Sequence, residues 1–547
     1  VDGTIALTTN GTGDATVVND DGLNFAASTI GDDLIATASA GDVTQQGALT
    51  IVGLTTITAT GNDVTLNLAS NDFDSDDSDD NGKDMTVTGK DVNIRNSDAF
   101  KLGAQTISGN LTVQAGGNID DGGALTVIGG GTTILIGDGG YVKLNDNGSD
   151  YTGPVNVTAD GQIVLKDDNS IVLGTISGAG TFTVTASADT TGTVTQNGTI
   201  DVDNRTTINN SGGDVTLNFE TNDFGNGSDV SDDVQVTARN VSIKNADTLW
   251  LGASTVSGTY TVTAMTGNIA DSGTLAITQL ATFNTSTDNA TITLDEAGST
   301  FAAGVSLNTT GSSGNATVDT GTNALDLSTS SVGGNLAATA GNTITDSGVL
   351  TVTGTSSFTT DVDDKDIIFN ENHAFTGAVT ITTNGTSGDA TISAGSLKEL
   401  KLAASTIDGD LIITSSHATG ISQTGVLTVG GTSSFTTSAG GADIDLSTSA
   451  NMFTGTVELN TSGSSGHVTV TTGATALSLA ASSVGGNLTL TTGHNVTQTG
   501  RLIVGGTATF EAPSKNVTLI NAANDFKGTI NVANGFEIQI TDANAVE

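Results

Sequence analysis

The feature that most limits how this chain can fold is an internal repeat of about 75 residues. A glycine-led segment recurs along the chain, as in "GRLIVGG" at Gly500 and "GVLTVGG" at Gly425. Its seven copies are anchored near residues 47, 123, 198, 273, 348, 425 and 500. Because a fixed period of this kind is typical of solenoids and arrays, we expect one structural unit per repeat and not a set of unrelated domains.

Within each repeat, apolar residues occur in pairs that are two positions apart and separated by short polar breaks. In the last repeat, Leu477 and Leu479 form one such pair, and Leu488 and Leu490 form another. Side chains two positions apart lie on the same face of a β-strand, and the abundance of Thr and Val also favours strands. The pattern therefore predicts an almost entirely β protein.

The composition distinguishes between two kinds of β architecture. The chain has 72 glycines, 2 prolines and only 4% aromatic residues, so few large side chains are present to fill the wide cores of separate sandwiches. Asn-Gly turn pairs occur, but not at a fixed position of every repeat. We therefore predict an all-β, right-handed parallel β-helix (β-solenoid) of about 22 coils, with three or four coils in each repeat. We expect it to run as a single continuous solenoid through residues 1–547.

Several large side chains have predicted positions in this solenoid. An asparagine two residues before a phenylalanine recurs, as in "NMF" at 451 and "NDF" at 524, and predicts a corner where stacked Asn side chains hydrogen-bond along the axis. Trp250 alternates with two leucines and should point outward. The four histidines have no partner at ligand spacing and are expected in exposed loops: His373, His417, His467 and His494. The phenylalanines predicted to be buried are Phe73, Phe224, Phe283, Phe301, Phe358, Phe375, Phe435, Phe453, Phe510 and Phe526.

Strings such as "GNLTLTTGHNVTQTG" at 486 and "GNLAATAGNTITDSGVLTV" at 334 resemble the shaft repeats of the filamentous haemagglutinin class of bacterial surface adhesins and exoproteins. The resemblance extends over essentially the whole chain. It implies a right-handed parallel β-helical shaft that is exported to the bacterial cell surface or beyond it. The secretion domain and the effector or anchor that the family normally carries are not among these residues.

The net charge of the chain restricts the kinds of molecule that it can bind. With 15 Lys and Arg against 59 Asp and Glu, the formal net charge is −44, which repels nucleic acid phosphates and anionic lipid headgroups. No apolar run is long enough for a membrane helix, so we expect no membrane insertion by this segment. The chain also has no cysteine, so any stability must come from stacking of neighbouring coils and not from disulfides.

Acidic insertions at 71–84 and 222–233 are the candidates for a cation site. Asp77, Asp79 and Asn81 are followed by a glycine, which is how calcium loops begin, and Asp84 lies nearby. The bidentate Glu of such loops is missing, because position 88 is a threonine. The sequence therefore leaves two readings, a calcium site formed by Asp77, Asp79, Asn81 and Asp84, and a solvated acidic bulge between coils. Calcium is the one cofactor that the sequence suggests.

The leading functional hypothesis is a non-catalytic extracellular shaft, or a subunit of a surface filament, that self-associates into fibres or packs laterally. The first alternative is an adhesin module whose outward Thr-x-Thr runs, such as "TTITAT" at 55, bind a glycan or protein receptor on a cell surface. The second is a β-helix polysaccharide lyase or hydrolase that uses carboxylate pairs such as Asp120 and Asp121. Such an enzyme needs a basic groove for uronates, and so few lysines and arginines argue against one.

Overall fold

The computed structural model describes residues 3–73, 85–186, 192–225, 227, 229–473 and 475–544. The chain divides into two units, Val1–Met265 and Thr266–Glu547, which are treated separately below. All regular elements of the described residues are β-strands, and no helix among these residues has the length and apolarity that crossing a bilayer requires.

Strands are short throughout both units. In the first unit, β1 to β33 are, in chain order, Ala15–Asn19, Leu23–Phe25, Ser28–Ile30, Leu34–Ala38, Val43–Gln45, Leu49–Ile51, Thr55–Thr58, Val64–Leu66, Asp72–Phe73, Met85–Gly89, Val92–Asn96, Phe100–Leu102, Gln105–Ile107, Leu111–Ala115, Ile119–Asp121, Leu125–Val127, Thr133–Gly137, Val142–Leu144, Asp150–Tyr151, Pro154–Ala159, Ile163–Lys166, Ile171–Gly178, Phe182–Thr185, Val194–Gln196, Ile200–Val202, Thr206–Asn210, Val215–Leu217, Asp223–Phe224, Val234–Ala238, Val241–Asn245, Leu249–Leu251, Ser254–Val256 and Tyr260–Ala264. In the second unit, β34 to β68 are Ile269–Asp271, Leu275–Ile277, Ala281–Asp288, Ile292–Leu294, Thr300–Phe301, Val305–Thr310, Ala316–Asp319, Leu325–Leu327, Ser330–Val332, Leu336–Ala340, Ile344–Asp346, Leu350–Val352, Ser356–Thr360, Ile367–Phe375, Val379–Thr382, Ala390–Ala394, Leu400–Leu402, Ser405–Ile407, Leu411–Ser415, Gly420–Gln423, Leu427–Val429, Ser433–Gly440, Asp443–Phe453, Thr456–Ser462, Val468–Thr472, Leu477–Leu479, Ser482–Val484, Leu488–Thr492, Val496–Gln498, Leu502–Val504, Ala508–Glu511, Val517–Leu519, Asp525–Phe526, Ile530–Ala533 and Ile538–Ile540.

The chain is a parallel β-solenoid, as the repeat pattern predicts, and it has about 24 turns where about 22 were expected. Each strand pairs in parallel register with its counterpart one turn later. The pairing of β43 with β46, for example, matches Leu336 with Ser356 and continues in step to Ala340 and Thr360. The predicted right-handed winding and the predicted continuity of one solenoid through residues 1–547 stay predictions.

One turn has two sides of different construction. One side is a single strand of about five residues, such as β1, and the other is two short strands separated by a bend, such as β2 and β3. In the first unit, the side that begins with β1 is called face 1 and the opposite side is called face 2. On face 1 the single long strands are β1, β4, β7 and β10. In the next turn β10 pairs with two short strands, β12 and β13, so from there the pairs of short strands lie on face 1. On face 2 the long strands then follow in β11, β14, β17 and β20.

This exchange of sides settles how many turns make one repeat. The strand after the anchor glycine is β6 on face 2, β16 on face 1 and β25 on face 2 again. The same alternation occurs within the second unit, where β35 and β54 lie on one side and β45 and β63 lie on the other. Because successive anchor strands lie on opposite sides, one repeat must contain a half turn in addition to whole turns. Each repeat therefore advances the solenoid by about three and a half turns, which lies between the three and four turns that the sequence left open.

The interior is filled in the way that the sequence predicts. Every predicted phenylalanine is buried, from Phe283, with no exposed surface, to Phe526 at 5%. Rings from opposite sides of the interior meet edge to face, as in Phe435 of β55 and Phe453 of β56, whose centroids are 6.1 Å apart. Trp250 lies half-buried between the buried Leu249 and Leu251, which places its side chain on the outer face as expected. Each buried aromatic contributes about 1.5–3 kcal/mol relative to an exposed one.

Candidate functional site

The most regular polar feature of the interior is a pair of side chains that recurs once in each repeat, which we call the corner pair. Its first member lies two residues before the anchor glycine, and its second lies two residues before the buried aromatic of the next turn. The seven pairs are Gln45 with Asn71, Asp121 with Ser149, Gln196 with Asn222, Asp271 with Ser299, Asp346 with His373, Gln423 with Asn451, and Gln498 with Asn524. All second members have 0% exposed surface.

The second member of each pair does the same work in all seven repeats. Its side chain accepts a hydrogen bond from the backbone N–H of the strand that follows the anchor glycine one turn earlier. The acceptors and distances run from Asn451 Oδ1, 2.9 Å from Leu427 N, to Ser299 Oγ, 3.1 Å from Leu275 N. The remaining donors are the N–H groups of Leu49, Leu125, Ile200, Leu350 and Leu502. Since a buried amide without a partner costs about 1–3 kcal/mol, this contact is a structural requirement of the turn.

The identity of the second member depends on the first. Where the first is Gln, the second is Asn, and the two amides exchange hydrogen bonds, as between Gln196 and Asn222 at 2.8 and 2.9 Å. Where the first is Asp, the second is Ser or His. The Asp side chain is shorter than that of Gln, and its carboxylate accepts backbone N–H groups directly, as Asp271 does from Asp295 at 2.9 Å. The predicted Asn corner is therefore confirmed as a buried corner, but its amides pair with Gln of the previous turn and not with one another.

Burial changes the acid strength of two Asp members of these pairs, Asp121 and Asp271. Removal from water raises the pKa of Asp121, and raises the pKa of Asp271 to about 6, although backbone N–H groups act in the opposite direction. Asp121 is also one of the carboxylates that the enzyme alternative would use. Its neighbour Asp120 points outward and accepts a hydrogen bond from the Tyr141 hydroxyl at 2.6 Å. The two carboxylates thus point to opposite sides of one strand.

The prediction that all four histidines lie in exposed loops is wrong for His373. His467 and His494 are exposed and His417 is half-buried, but His373 lies in β47 with no exposed surface. It takes the place that Asn or Ser has in the other corner pairs, because its Nδ1 accepts the N–H of Leu350 at 3.0 Å. Only the alignment of position 373 with the recurring Asn could have indicated this from the sequence.

The anchor glycines are required by the packing between turns. Gly425 and Gly500 are not among the residues with positive φ. A side chain at either position would collide with the previous turn, since a Cβ would lie 2.2 Å from the backbone nitrogen of Ala404 or of Ala481. Close approach between turns, and not an unusual backbone angle, requires glycine there.

The predicted calcium residues Asp77, Asp79, Asn81 and Asp84 lie outside the described residues. In the second acidic insertion, 222–233, two of the carboxylates have partners among the described residues. Asp233 lies 2.5 Å from the Arg205 Nε, and Asp229 accepts the N–H of Ser231 at 3.0 Å. Burial raises the pKa of Asp232, the largest effect on that group. Among the described residues, the acidic ligand atoms that converge within 4.8 Å of one another belong to Asp14, Asp32 and Asp33.

Part of the surface charge belongs to a ladder of side chains at bends that immediately precede strands. There the side-chain oxygen of one turn accepts the backbone N–H of the next turn. Asp42 accepts the N–H of Asp63 at 3.0 Å, and Asp91 accepts the N–H of Asn110 at 2.7 Å. Lys90 lies 3.6 Å from Asp63 and 3.2 Å from Asp91 and offsets part of their repulsion. These carboxylates are structural acceptors as well as surface charges.

Outward threonines form columns, because strands of successive turns stay in register. In the second unit one column has Thr in five consecutive turns: Thr339, Thr359, Thr382, Thr406 and Thr428. In the first unit the corresponding column is Thr37, Thr58, Thr88, Thr106 and Thr126. The hydroxyl groups repeat at the spacing between turns, about 4.8 Å.

Comparison with known proteins agrees with the repeat and the fold. The family described as repeats of unknown function (DUF5649) matches the chain in seven successive segments, residues 12–78, 89–158, 160–231, 238–308, 313–382, 387–460 and 465–533. No curated protein and no solved structure matches the chain. The seven segments follow the seven corner pairs, one pair to a segment.

Proposed function

Because the chain belongs to the family of DUF5649 repeats, each of which is built around one buried corner pair, we propose that it is a non-catalytic structural shaft. In this proposal it stands at the bacterial cell surface or outside the cell, and spaces an adhesive or toxic tip from that surface or packs into a filament. The resemblance of its sequence repeats to the shaft repeats of filamentous haemagglutinin-class adhesins supports this cell-surface or extracellular location.

The observation that carries the proposal is the recurrence of the same buried polar contact in every repeat. Backbone hydrogen bonds join each turn to the next, and the corner pairs close the bends where that ladder is interrupted. A force along the axis is then shared by many parallel hydrogen bonds at each step. This construction suits a stiff spacer, and a high negative charge keeps such spacers apart unless a partner neutralises it.

Electron microscopy of the full chain tests the proposal. We expect narrow, extended particles whose length corresponds to about 4.8 Å per turn. Separate particles would support a spacer, and regular lateral or axial assemblies would support a filament subunit. Compact particles, in which the repeats fold back on one another, would contradict both.

A second function, the binding of a cell-surface glycan, is favoured by the threonine columns. Five hydroxyl groups in consecutive turns form a regular row of donors and acceptors for sugar hydroxyls. A glycan array probed with the full chain tests this function. The matched variant replaces Thr359, Thr382 and Thr406 with valine, which keeps the strand preference and shape but removes the hydroxyls. Binding that is absent from the wild type, or unchanged in the variant, would exclude this column as the site.

A further inference from the structure

The corner pair of the fifth repeat differs from the other six, because its second member is an imidazole, which can take up a second proton in acid. The His373 Nε2 lies 3.1 Å from Asp346 Oδ2, and both side chains are buried, at 0% and 2% exposure. On the opposite edge of the ring, Nδ1 lies 3.0 Å from the backbone nitrogen of Leu350. The imidazole thus connects two successive turns by its two nitrogens.

These contacts fix the protonation state of the ring. Leu350 N–H is a donor, so the Nδ1 that faces it must carry a lone pair, and the single ring proton lies on Nε2 toward Asp346. Asp346 accepts the N–H groups of Asn370 and Glu371, both at 3.0 Å. A second proton on His373 can enter only at Nδ1, where it would face the N–H of Leu350.

Apart from Asp346, the surroundings offer little to stabilise an imidazolium. Rings of Phe369 and Phe375 lie 5.4 and 5.5 Å from the His373 ring. Of the strands packed against its strand, β44 carries Asp346, whereas β45, β46 and β49 carry no ionisable side chain, and the exposed Glu371 is on its own strand. Burial therefore lowers the pKa of His373, although Asp346 acts in the opposite direction. The unfolded chain binds the proton more readily, so this group stabilises the fold less as the pH falls below the ordinary value near 6.5.

We propose that the His373 and Asp346 pair is an acid-sensitive joint, at which protonation of His373 separates the turn that contains Leu350 from the turn that follows it. The other six pairs cannot respond in this way. Gln and Asn do not titrate, and Asp121 and Asp271 respond with the opposite sign, because acid removes a buried charge there. Acidification should thus loosen one repeat while the rest of the described solenoid keeps its hydrogen bonds. The inference does not depend on the proposed shaft function.

Hydrogen exchange of the full chain, read by mass spectrometry, tests the joint. Exchange is compared at about pH 7.4 and about pH 5.0, after correction for the intrinsic effect of pH on amide exchange. We expect protection in peptides that cover 346–375 to fall by about tenfold or more at the lower pH, while peptides that cover 423–453, with the Gln423 and Asn451 pair, change little. Equal changes in both regions would overturn the proposal.

Two variants separate the titration of His373 from a general acid effect. The double variant His373→Asn with Asp346→Gln installs the pair that the chain uses in four other repeats, and it should remove the pH dependence of peptides that cover 346–375. The single variant His373→Ser keeps Asp346 and reproduces the pairing of Asp271 with Ser299, and it should remove or reverse the response. If either folded variant retains the full loss of protection at about pH 5.0, the joint does not depend on His373.

Discussion

Replacement of Asn451 by alanine should destabilise the second unit far more than truncation of an outward side chain. Asn451 has no exposed surface, and its Oδ1 accepts from Leu427 N at 2.9 Å and from the Gln423 Nε2 at 3.0 Å. Its Nδ2 donates to the Gln423 Oε1 at 2.8 Å and to the carbonyl of Leu446 at 3.1 Å. Alanine removes all four contacts and brings no water to the site.

The magnitude follows from the groups that are left without partners. The N–H of Leu427 and the carbonyl of Leu446 are buried, and each unpaired group costs about 1–3 kcal/mol. With the loss of both amide contacts to Gln423, we expect Asn451→Ala to cost about 3–5 kcal/mol in free energy of unfolding. Gln423→Ala alone removes fewer buried contacts and should cost about 2–3 kcal/mol. The double variant should fall short of the sum by about 1–2 kcal/mol, because the two shared bonds are lost only once.

Because a solenoid can open locally, the assay is hydrogen exchange of the full chain over residues 423–453, together with chemical unfolding. The control is Thr436→Ala, on the outer face of β55, which should change the free energy by less than about 0.5 kcal/mol. If Asn451→Ala costs no more than the control, or if the two truncations add fully, the corner pair does not hold the turn together.

Four further outcomes are expected. Gly425→Ala should strongly reduce thermal stability, since its Cβ would meet a backbone nitrogen at 2.2 Å, whereas Gly440→Ala, with open space around it, should be neutral. The free energy of unfolding of the wild type relative to Asp271→Asn should fall as the pH rises from about 4 to about 6, because burial raises the folded pKa of Asp271 to about 6; a flat difference would contradict this. Sodium chloride should raise the thermal midpoint, because the net charge of −44 repels itself, and a midpoint independent of salt would count against that reasoning. Calcium titration by calorimetry should give heat with the wild type and less with the Asp77→Asn, Asp79→Asn double variant, and an absence of heat at millimolar calcium would leave only the solvated acidic loop.

Sequence patterns were sufficient for features that depend on local geometry or on recurrence. Strand side chains alternate between faces, so apolar pairs such as Leu488 and Leu490 marked inward positions directly, and both are buried. The phenylalanine after each recurring Asn was predicted as interior filling, and Phe453 is 1% exposed. The outward position of Trp250 followed from the same alternation.

The features missed by sequence reasoning depend on contacts one turn away. His373 has no ligand-like neighbour in the sequence, and its role follows from Leu350 and Asp346, which are brought to it from the preceding turn. The need for glycine at the anchor position Gly425 also arises one turn away, because the backbone of the previous turn leaves no room for a side chain there. The calcium candidates Asp77, Asp79, Asn81 and Asp84 lie outside the described residues, and their role stays a prediction.

By itself, the sequence determined that this chain repeats seven times, that its segments are strands, and that its turns stack with a thin core, because each of these depends on periodicity that can be read along the chain. Only the tertiary structure decided that a repeat covers about three and a half turns, and that Gln selects Asn while Asp selects Ser or His at the buried corner. The physical reason is that register places these partners together across 22 to 28 residues, and a side chain is chosen there by the hydrogen bonds that its neighbour in the next turn leaves open.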